Sequence, residues 1–290
     1  MVETVVNRLI DDLDQDECIN LHGQLIVPFS NQAILSIIGF QDNELIEIGR
    51  LVSESTLLFV MPLDTASYTR YSDSLLKLLA KLNALINVRK INPKQDIVSR
   101  LIAANAESEY VLSDDEVLQF LLDIVFAGND PVEMSLSSFF LHTLAKRSRV
   151  QALIDDVSLL PGMLHEAIRL STGLRGVARM TVETVTLGGQ EIPANSNILI
   201  IPSMVNRDKE KFEESSSYNC RRALVTQHLG FGYANHYCIG AALAEIMMSK
   251  LVLTLIEKYP NLSLKLDDPV GFRKEVFTQR MTYLNVFLSG

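Results

Sequence analysis

The longest helical pattern in the chain begins at Ser113, and it constrains the fold more than any other feature. Ser113–Glu116 form a capping box, in which the serine hydroxyl and the glutamate carboxylate bind each other's first-turn amides. Apolar residues then recur at helical spacing to about Lys146, and roughly thirty-four residues of helix span about 50 Å. A helix of this length crosses a whole domain, so the other elements must pack around it.

One segment interrupts this pattern, at Ala127-Gly128-Asn129-Asp130-Pro131. Pro131 has no N–H and its ring crowds the carbonyl group of Ala127, so we expect the hydrogen-bond ladder to open there. A single kinked helix and a break between two shorter helices are both compatible with these residues.

The remaining pattern predicts a mainly α protein with a small β-rich part. Helical spacing continues through most of residues 1–172, in segments that include VPFSNQAILSIIGF, NELIEIGRLVSESTLLFV and TRYSDSLLKLLAKLNALINV. After about residue 173 we expect short strands, a helix from about Gly240 to Lys258, and a turn at LGGQEIPAN. The strand-like segments are GVARM, TVTL, ILIIPS, LSLKL and MTYLNVFLS. No linker divides the chain, so residues 1–290 are expected to form one domain.

Charge and composition exclude several classes of function. The net charge is −9 and there is no basic run, which argues against a nucleic-acid partner. Charges and prolines break the apolar stretches before they reach membrane-spanning length, and the first residues lack a signal-peptide pattern. Three widely spaced cysteines, Cys18, Cys220 and Cys238, predict reduced thiols and a cytoplasmic location. The acidic run Asp11–Glu17 is expected to be a solvated loop rather than a magnesium–diphosphate site.

The segment from His228 to Gly240 carries the most chemical information. Its glycines form a loop that delivers Cys238 to the first turn of an apolar helix. Free amides and the helix dipole favour a thiolate there, the dipole by roughly 0.3–1 kcal/mol. A thiolate in an apolar loop can bind iron, although these features alone are also compatible with a buried structural cysteine.

The same segment resembles the haem-binding loop of the cytochrome P450 family, which reads FxxGxxxCxG. Phe231, Cys238 and Gly240 match this pattern, and His236 occupies its basic position. Ala234 stands where the family has glycine, so we expect a small strain in the loop.

The resemblance implies that haem b is the cofactor and that Cys238 is the axial ligand of its iron. It implies that Phe231 packs near the sulfur and that His236 binds a haem propionate. Gly232 and Gly240 are then part of the cofactor-binding loop.

A second motif supports the resemblance. Glu166 and Arg169 form an ExxR pair on one helix face, at the place in the chain where the family has a structural Glu–Arg pair. A further arginine completes that network in the family. Counting from Asn206-Arg207-Asp208 puts this arginine at Ser217, so the third partner is expected to be absent unless Arg221 or Arg222 replaces it.

Two further positions correspond to haem contacts. The spacing of Arg179 from Leu187-Gly188-Gly189 resembles that of the family's propionate-binding arginine, and a surface arginine is the alternative. Ala127–Pro131 resembles the AGxDT groove above the haem. The resemblance implies that Ala127 contacts the haem and that Gly128 lets the helix approach it. It also places Asn129 in the catalytic groove and implies that Asp130 helps to deliver protons. Pro131 replaces the hydroxyl-bearing residue of this groove.

These segments occur in the family's order, and together they predict a cytochrome P450-like fold that lacks the usual N-terminal portion. The favoured function is a haem-thiolate monooxygenase that acts on a small lipophilic or secondary-metabolite substrate. Its electrons would come from an external ferredoxin or flavoprotein, because the chain has no nicotinamide or flavin motif. Pro131 favours altered, peroxide-driven or non-oxygenating chemistry as an alternative. The absent portion favours a non-catalytic binding protein or remnant.

Overall fold

The computed structural model describes residues 1–13, 18–60, 62–173, 176–268, 270–273, 278 and 280–289. Helices dominate the chain up to Leu170, which confirms the predicted mainly α fold. Their bounds are α1 (Val2–Asp11), α2 (Val27–Ile38), α3 (Leu45–Val60), α4 (Thr65–Ile91), α5 (Ile97–Ala106), α6 (Asp114–Leu144), α7 (Arg147–Asp155) and α8 (Leu160–Leu170). A π-helical turn, His22–Ile26, leads into α2. Among the described residues, no helix combines the length and apolar character needed to cross a bilayer.

Helix α6 is the central element, as its length predicts. The capping box forms at its start, because Ser113 caps the amide of Glu116 and the Glu116 carboxylate accepts from the amide of Ser113. The helix continues through Pro131 to Leu144, so the alternative of two shorter helices is wrong. It contacts α2, α3, α4, α5, α7 and α8, and these contacts place it at the centre of the core.

Tertiary packing explains why α6 tolerates its proline. A proline inside a helix costs about 3 kcal/mol through the lost hydrogen bond and the ring clash. In α6, however, every residue from Val132 to Phe140 is buried, so neighbouring elements cover the helix on all sides just after the proline. Burial of the large side chains there, at roughly 1.5–3 kcal/mol each, outweighs the local cost.

The second part of the chain contains short strands and one long helix. The strands are β2 (Val177–Met180), β3 (Val185–Leu187), β4 (Gln190–Ile192), β5 (Asn197–Ile200), β6 (Ser263–Leu264), β7 (Gly271–Phe272), β8 (Met281–Tyr283) and β9 (Asn285–Phe287). The helices are the short α9 (Pro202–Val205) and α10 (Ala241–Lys258), and α10 matches the predicted bounds to within one residue. β2 pairs antiparallel with β5, β3 with β4 and β7 with β8.

Three strands were not expected from the sequence: the short β7, β4 and a strand within the helical body. The LGGQEIPAN segment contains β4, which forms a hairpin with β3. Gly188 and Gly189, at φ +55° and +77°, form the two-residue turn that this hairpin requires. A strand within the helical body, β1 (Cys18–Asn20), pairs with β9 in the order β1-β9-β6, so the first and last parts of the described chain share a sheet. The end of the acidic run, residues 14–17, lies outside the described residues.

Candidate functional site

A largely apolar cavity of about 420 Å³ lies between the middle of α6 and the loop that precedes α10. Most of the site residues predicted from the sequence line this cavity. They are Ala127, Gly128, Arg179, Phe231, Gly232, His236, Cys238 and Gly240. Asn129 and Asp130 are not among its lining residues.

The loop that carries Cys238 is held by tight backbone geometry. The amide of Cys238 donates to the carbonyl oxygen of Phe231 at 2.7 Å, which closes the loop on itself. Gly232 has φ +77° and ψ −161°, a region that residues with a side chain hardly ever adopt. Cys238 is exposed and lies two residues before Gly240, the N-cap of α10. The cysteine therefore precedes the helix rather than lying in its first turn.

Ala234 confirms the expected strain. Its φ is +49°, in the left-handed region that costs a residue with a Cβ roughly 1–2 kcal/mol. This residue begins the 3₁₀ turn Ala234–His236 inside the loop, so the strain lies within the segment that presents the cysteine.

Two basic side chains, Arg179 and His236, lie at the cavity. Arg179 is exposed on β2, and among the described residues its guanidinium donates only to the carbonyl oxygen of Ala178, at 2.8 Å. The side chain of His236 is exposed and makes no hydrogen bond to another described residue. Both groups are therefore available for a carboxylate-bearing ligand in the cavity.

The polar residues of the α6 segment form a connected set of hydrogen bonds. Asp130 Oδ2 accepts from Arg280 Nη2 at 2.5 Å, and Asp130 Oδ1 accepts from Asn129 Nδ2 at 3.0 Å. Asn129 Oδ1 in turn accepts from the hydroxyl of Ser30 at 2.7 Å. These bonds tie α6 to α2 and to the C-terminal part of the chain. Gly128 also serves this packing, because a Cβ there would lie 2.7 Å from the Ile34 side chain of α2.

Two hydroxyl groups on the cavity wall were not identified from the sequence. Ser135 lies four residues after Pro131 on the cavity side of α6, and Thr172 follows the end of α8. Thr172 Oγ1 is buried and has no hydrogen-bond partner among the described residues. A buried hydroxyl without a partner costs about 1–3 kcal/mol, so this atom is suited to a polar group of a bound ligand.

The Glu166–Arg169 pair lies at the end of α8, and both side chains are 0% exposed. Arg169 uses all five of its N–H groups. Nε and one Nη2 hydrogen bind Glu166, and the others bind the carbonyl oxygens of Asn206, Ser215 and Ser217. Burial would raise the pKa of Glu166, but hydrogen bonds from Arg169, the amide of Asn219 and Arg222 outweigh it and hold the pKa below its usual value.

The expected absence of a third partner is wrong. Arg222 Nε donates to both carboxylate oxygens of Glu166, at 2.9 and 3.1 Å, and completes a buried triad with Arg169. Ser217, to which the count pointed, contributes only its carbonyl oxygen, which accepts from both arginines. The count failed because the intervening segment is irregular, with Glu214 in the left-handed region. The adjacent Arg221 and Arg222 were the one available signal.

The residues present fit a haem group. The cavity offers a cysteine sulfur, the exposed side chains of Arg179 and His236 for carboxylates, and the buried hydroxyl of Thr172. Glycines at 230 and 232 let the loop pack tightly, since a Cβ at Gly230 would lie 2.3 Å from the Ile168 side chain and a Cβ at Gly232 would lie 2.4 Å from the carbonyl oxygen of His236. An apolar cavity with these donors is the kind of site that binds a metalloporphyrin through sulfur.

Comparisons with known proteins agree with this class of site. The sequence profile of the family described as "Cytochrome P450" matches residues 150–281. The chain is 25% identical over 291 residues to 6-deoxyerythronolide B hydroxylase of Saccharopolyspora erythraea, covering 100% of this chain and 70% of that protein. It is 30% identical over 191 residues to cyclomarin C epoxidase CymV of Salinispora arenicola, covering 66% of this chain and 48% of that protein.

The fold has close counterparts among solved structures. The crystal structure of CYP109E1 from Bacillus megaterium in complex with corticosterone has a TM-score of 0.91. It shares 22% sequence identity, and the match covers 100% of this chain and 77% of that one. The chain belongs to the cytochrome P450 family, and haem is the cofactor of that family.

Proposed function

We propose that the protein is a haem-thiolate monooxygenase that inserts one oxygen atom of dioxygen into a small lipophilic or secondary-metabolite substrate. The observation that carries the proposal is Cys238, whose loop is closed by its own amide and whose side chain lines an apolar cavity. Haem b, when bound through a thiolate, supplies the activation of dioxygen. Residues 1–290 form one haem-binding domain in this proposal. The relatives are named as a hydroxylase and an epoxidase, which supports oxygen insertion.

Each site residue predicted from the sequence has a defined task in this proposal. Cys238 binds the iron, and His236 and Arg179 bind the propionates. Phe231, Gly232, Gly240 and Ala127 form the walls against the ring, and Gly128 keeps α6 close to it. Asn129 and Asp130 belong to the turn of α6 through which protons enter. The apolar lining, with α10 contributing Leu243, Ala244, Met247 and Met248, selects a lipophilic ligand and excludes water.

Electrons come from a separate ferredoxin or flavoprotein, since the chain carries no motif for a second redox cofactor. A cytoplasmic location completes the proposal, because the cysteines Cys18, Cys220 and Cys238 are not joined in disulfides and stay reduced in such a compartment.

Spectroscopy of cysteine variants tests the ligand. The dithionite-reduced, carbon-monoxide-treated protein is expected to show the strongly red-shifted Soret band of thiolate ligation, and Cys238→Ala is expected to abolish it. Cys220→Ala is the matched control. Cys220 is half-buried and burial raises the pKa of its thiol, so its removal should leave the band unchanged. A band that survives in Cys238→Ala, or is lost in Cys220→Ala, contradicts the assignment.

A second candidate function, peroxide-driven oxidation, is favoured by the composition of α6 at the cavity. Pro131 and Val132 line the cavity and carry no exchangeable proton, whereas the Asp130 carboxylate is held by Arg280 and Asn129. Proton delivery requires a donor within hydrogen-bond reach, directly or through one water. Peroxide already carries its protons, so it bypasses this requirement.

We therefore expect that, with surrogate redox partners, little of the NADPH consumed leads to product, because electrons are lost to hydrogen peroxide. Turnover should be better with added peroxide. Pro131→Thr should raise the product formed per NADPH consumed severalfold, because it places a hydroxyl group at position 131, directly after Asp130. Pro131→Val is the matched control, since it restores the N–H and a similar shape without the hydroxyl. If the unaltered protein couples NADPH consumption tightly to product and shows no turnover with peroxide, the peroxide-driven alternative is wrong and ordinary monooxygenase chemistry stands.

A further inference from the structure

A chain of three hydrogen-bonded side chains lies directly behind the Cys238 loop. His228 Nε2 lies 3.0 Å from His165 Nδ1, and His165 Nε2 lies 3.2 Å from the carboxylate of Glu245. At the other end, the amide of Gly230 donates to His228 Nδ1 at 2.9 Å. His165 comes from α8 and Glu245 from α10, so this series of hydrogen bonds joins two helices to the start of the loop.

The bonding partners determine where the protons lie. Because the Gly230 amide can only donate, Nδ1 of His228 must accept, and the proton of the neutral ring is on Nε2. That proton is donated to Nδ1 of His165, so the proton of His165 lies on Nε2 and is donated to Glu245. Burial, followed by the nearby His165, lowers the pKa of His228 to about 4, so this ring is neutral under ordinary conditions. Both imidazoles are thereby held in a single tautomer and orientation.

The two imidazoles also hold an aromatic ring of the loop. The Phe231 ring lies 5.8 Å from the His165 ring at 85°, and 5.7 Å from the His228 ring at 43°. Phe231 provides the carbonyl oxygen that accepts the Cys238 amide. A continuous set of contacts therefore runs from Glu245 through both histidines to the backbone that presents the cysteine.

We propose that His228, oriented by His165 and Glu245, is a positioning residue for Cys238. The His228 ring acts as the cap of the 3₁₀ turn Leu229–Phe231, and this turn holds the carbonyl group to which the Cys238 amide binds. The inference rests on the proposed thiolate ligation, because it explains how the protein keeps that sulfur in one place.

Two conservative substitutions test separately the two hydrogen bonds of His228, one to the amide of Gly230 and one to His165. His228→Asn keeps an acceptor at the place of Nδ1 but removes the donor to His165. His228→Gln keeps a donor at the place of Nε2 but removes the acceptor for Gly230. His228→Leu removes both. His142, a half-buried histidine that stacks on Tyr218 at 5.4 Å and makes no contact with these three side chains, provides the control variant His142→Leu.

The first readout uses the haem-free protein and measures amide exchange at Gly230 and Cys238. Loss of a net hydrogen bond of this kind corresponds to about a fivefold change in an equilibrium. We expect exchange at both amides to be about fivefold faster in His228→Gln and faster still in His228→Leu. His228→Asn should remain close to wild type, and His142→Leu should leave both amides unchanged.

The second readout is the fraction of reduced, carbon-monoxide-treated protein that keeps the thiolate band over time. The order of retention should be wild type, His228→Asn, His228→Gln, His228→Leu. Glu245→Ala should also speed amide exchange and lower retention of the thiolate band, but by a smaller amount than the His228 variants. The Glu245 side chain is 36% exposed, so this variant should fold and remains informative if His228→Leu does not. Unchanged exchange at Cys238 in folded His228→Gln and Glu245→Ala overturns the inference. If the wild-type protein has no thiolate band, the proposed function is wrong. The exchange data then test only whether His228 holds the loop in place.

Discussion

Glu166→Ala is expected to give insoluble or unfolded protein, the largest effect of any single substitution in this chain. It leaves two arginines, Arg169 and Arg222, without their carboxylate, and the Arg169 side chain is 0% exposed. Removal of one partner from a buried ion pair costs roughly 3–5 kcal/mol. That is a large part of the roughly 5–15 kcal/mol by which a typical domain is stable.

Urea unfolding of a graded series measures this effect. Arg222→Met should cost several kcal/mol, because it removes one cation from a carboxylate that still has Arg169. The neighbouring Arg221 is exposed and makes no side-chain bond to Glu166, so Arg221→Met should unfold at the wild-type urea concentration. If the two arginine variants are equally stable, the third partner has been assigned to the wrong residue.

Gly232→Ala is expected to abolish haem binding while leaving the helical body folded. The new Cβ would lie 2.4 Å from the carbonyl oxygen of His236, and the backbone at φ +77° and ψ −161° is essentially restricted to glycine. The loop therefore has to rearrange, and the Cys238 sulfur moves with it. Haem titration, with circular dichroism to follow the fold, measures both consequences.

Two controls sharpen this prediction. Gly189→Ala introduces a Cβ at the same φ of +77°, but with nothing within 4 Å and in the β3–β4 hairpin, so it should lower stability slightly and leave haem affinity unchanged. Ala234→Gly should act in the opposite direction and raise the melting temperature. It removes the Cβ from a residue in the left-handed region, at φ +49°, and so relieves the backbone strain there. The greater freedom of glycine in the unfolded chain limits the gain in the free energy of unfolding to about 1 kcal/mol or less. Normal haem binding by Gly232→Ala would show that the loop does not hold the cofactor.

Part of the molecule follows from local sequence, because the interactions that form it join residues close along the chain. The capping box at Ser113 and the apolar periodicity after it predict the bounds of α6 to within about two residues. The spacing from Phe231 to Gly240 identified the loop at the cavity, and the family pattern made Ala234 conspicuous. The ExxR spacing placed Glu166 and Arg169 on one helix face, and the structure pairs them there.

Other features depend on residues far apart in the chain, and no local pattern encodes them. The segment that leads to Arg222 is irregular and has no repeating pattern. Counting along it therefore placed the third arginine at Ser217, whereas the structure has it at Arg222. Only the packed core brings Arg280 to Asp130, 150 positions away.

The sequence by itself therefore determined the helical frame, the cysteine-bearing loop and the family. The tertiary structure decided which side chains meet across that frame. It brought β1 to β9 and His165 to His228, because burial of apolar surface sets such pairings and buried polar groups must then find partners wherever the fold supplies them.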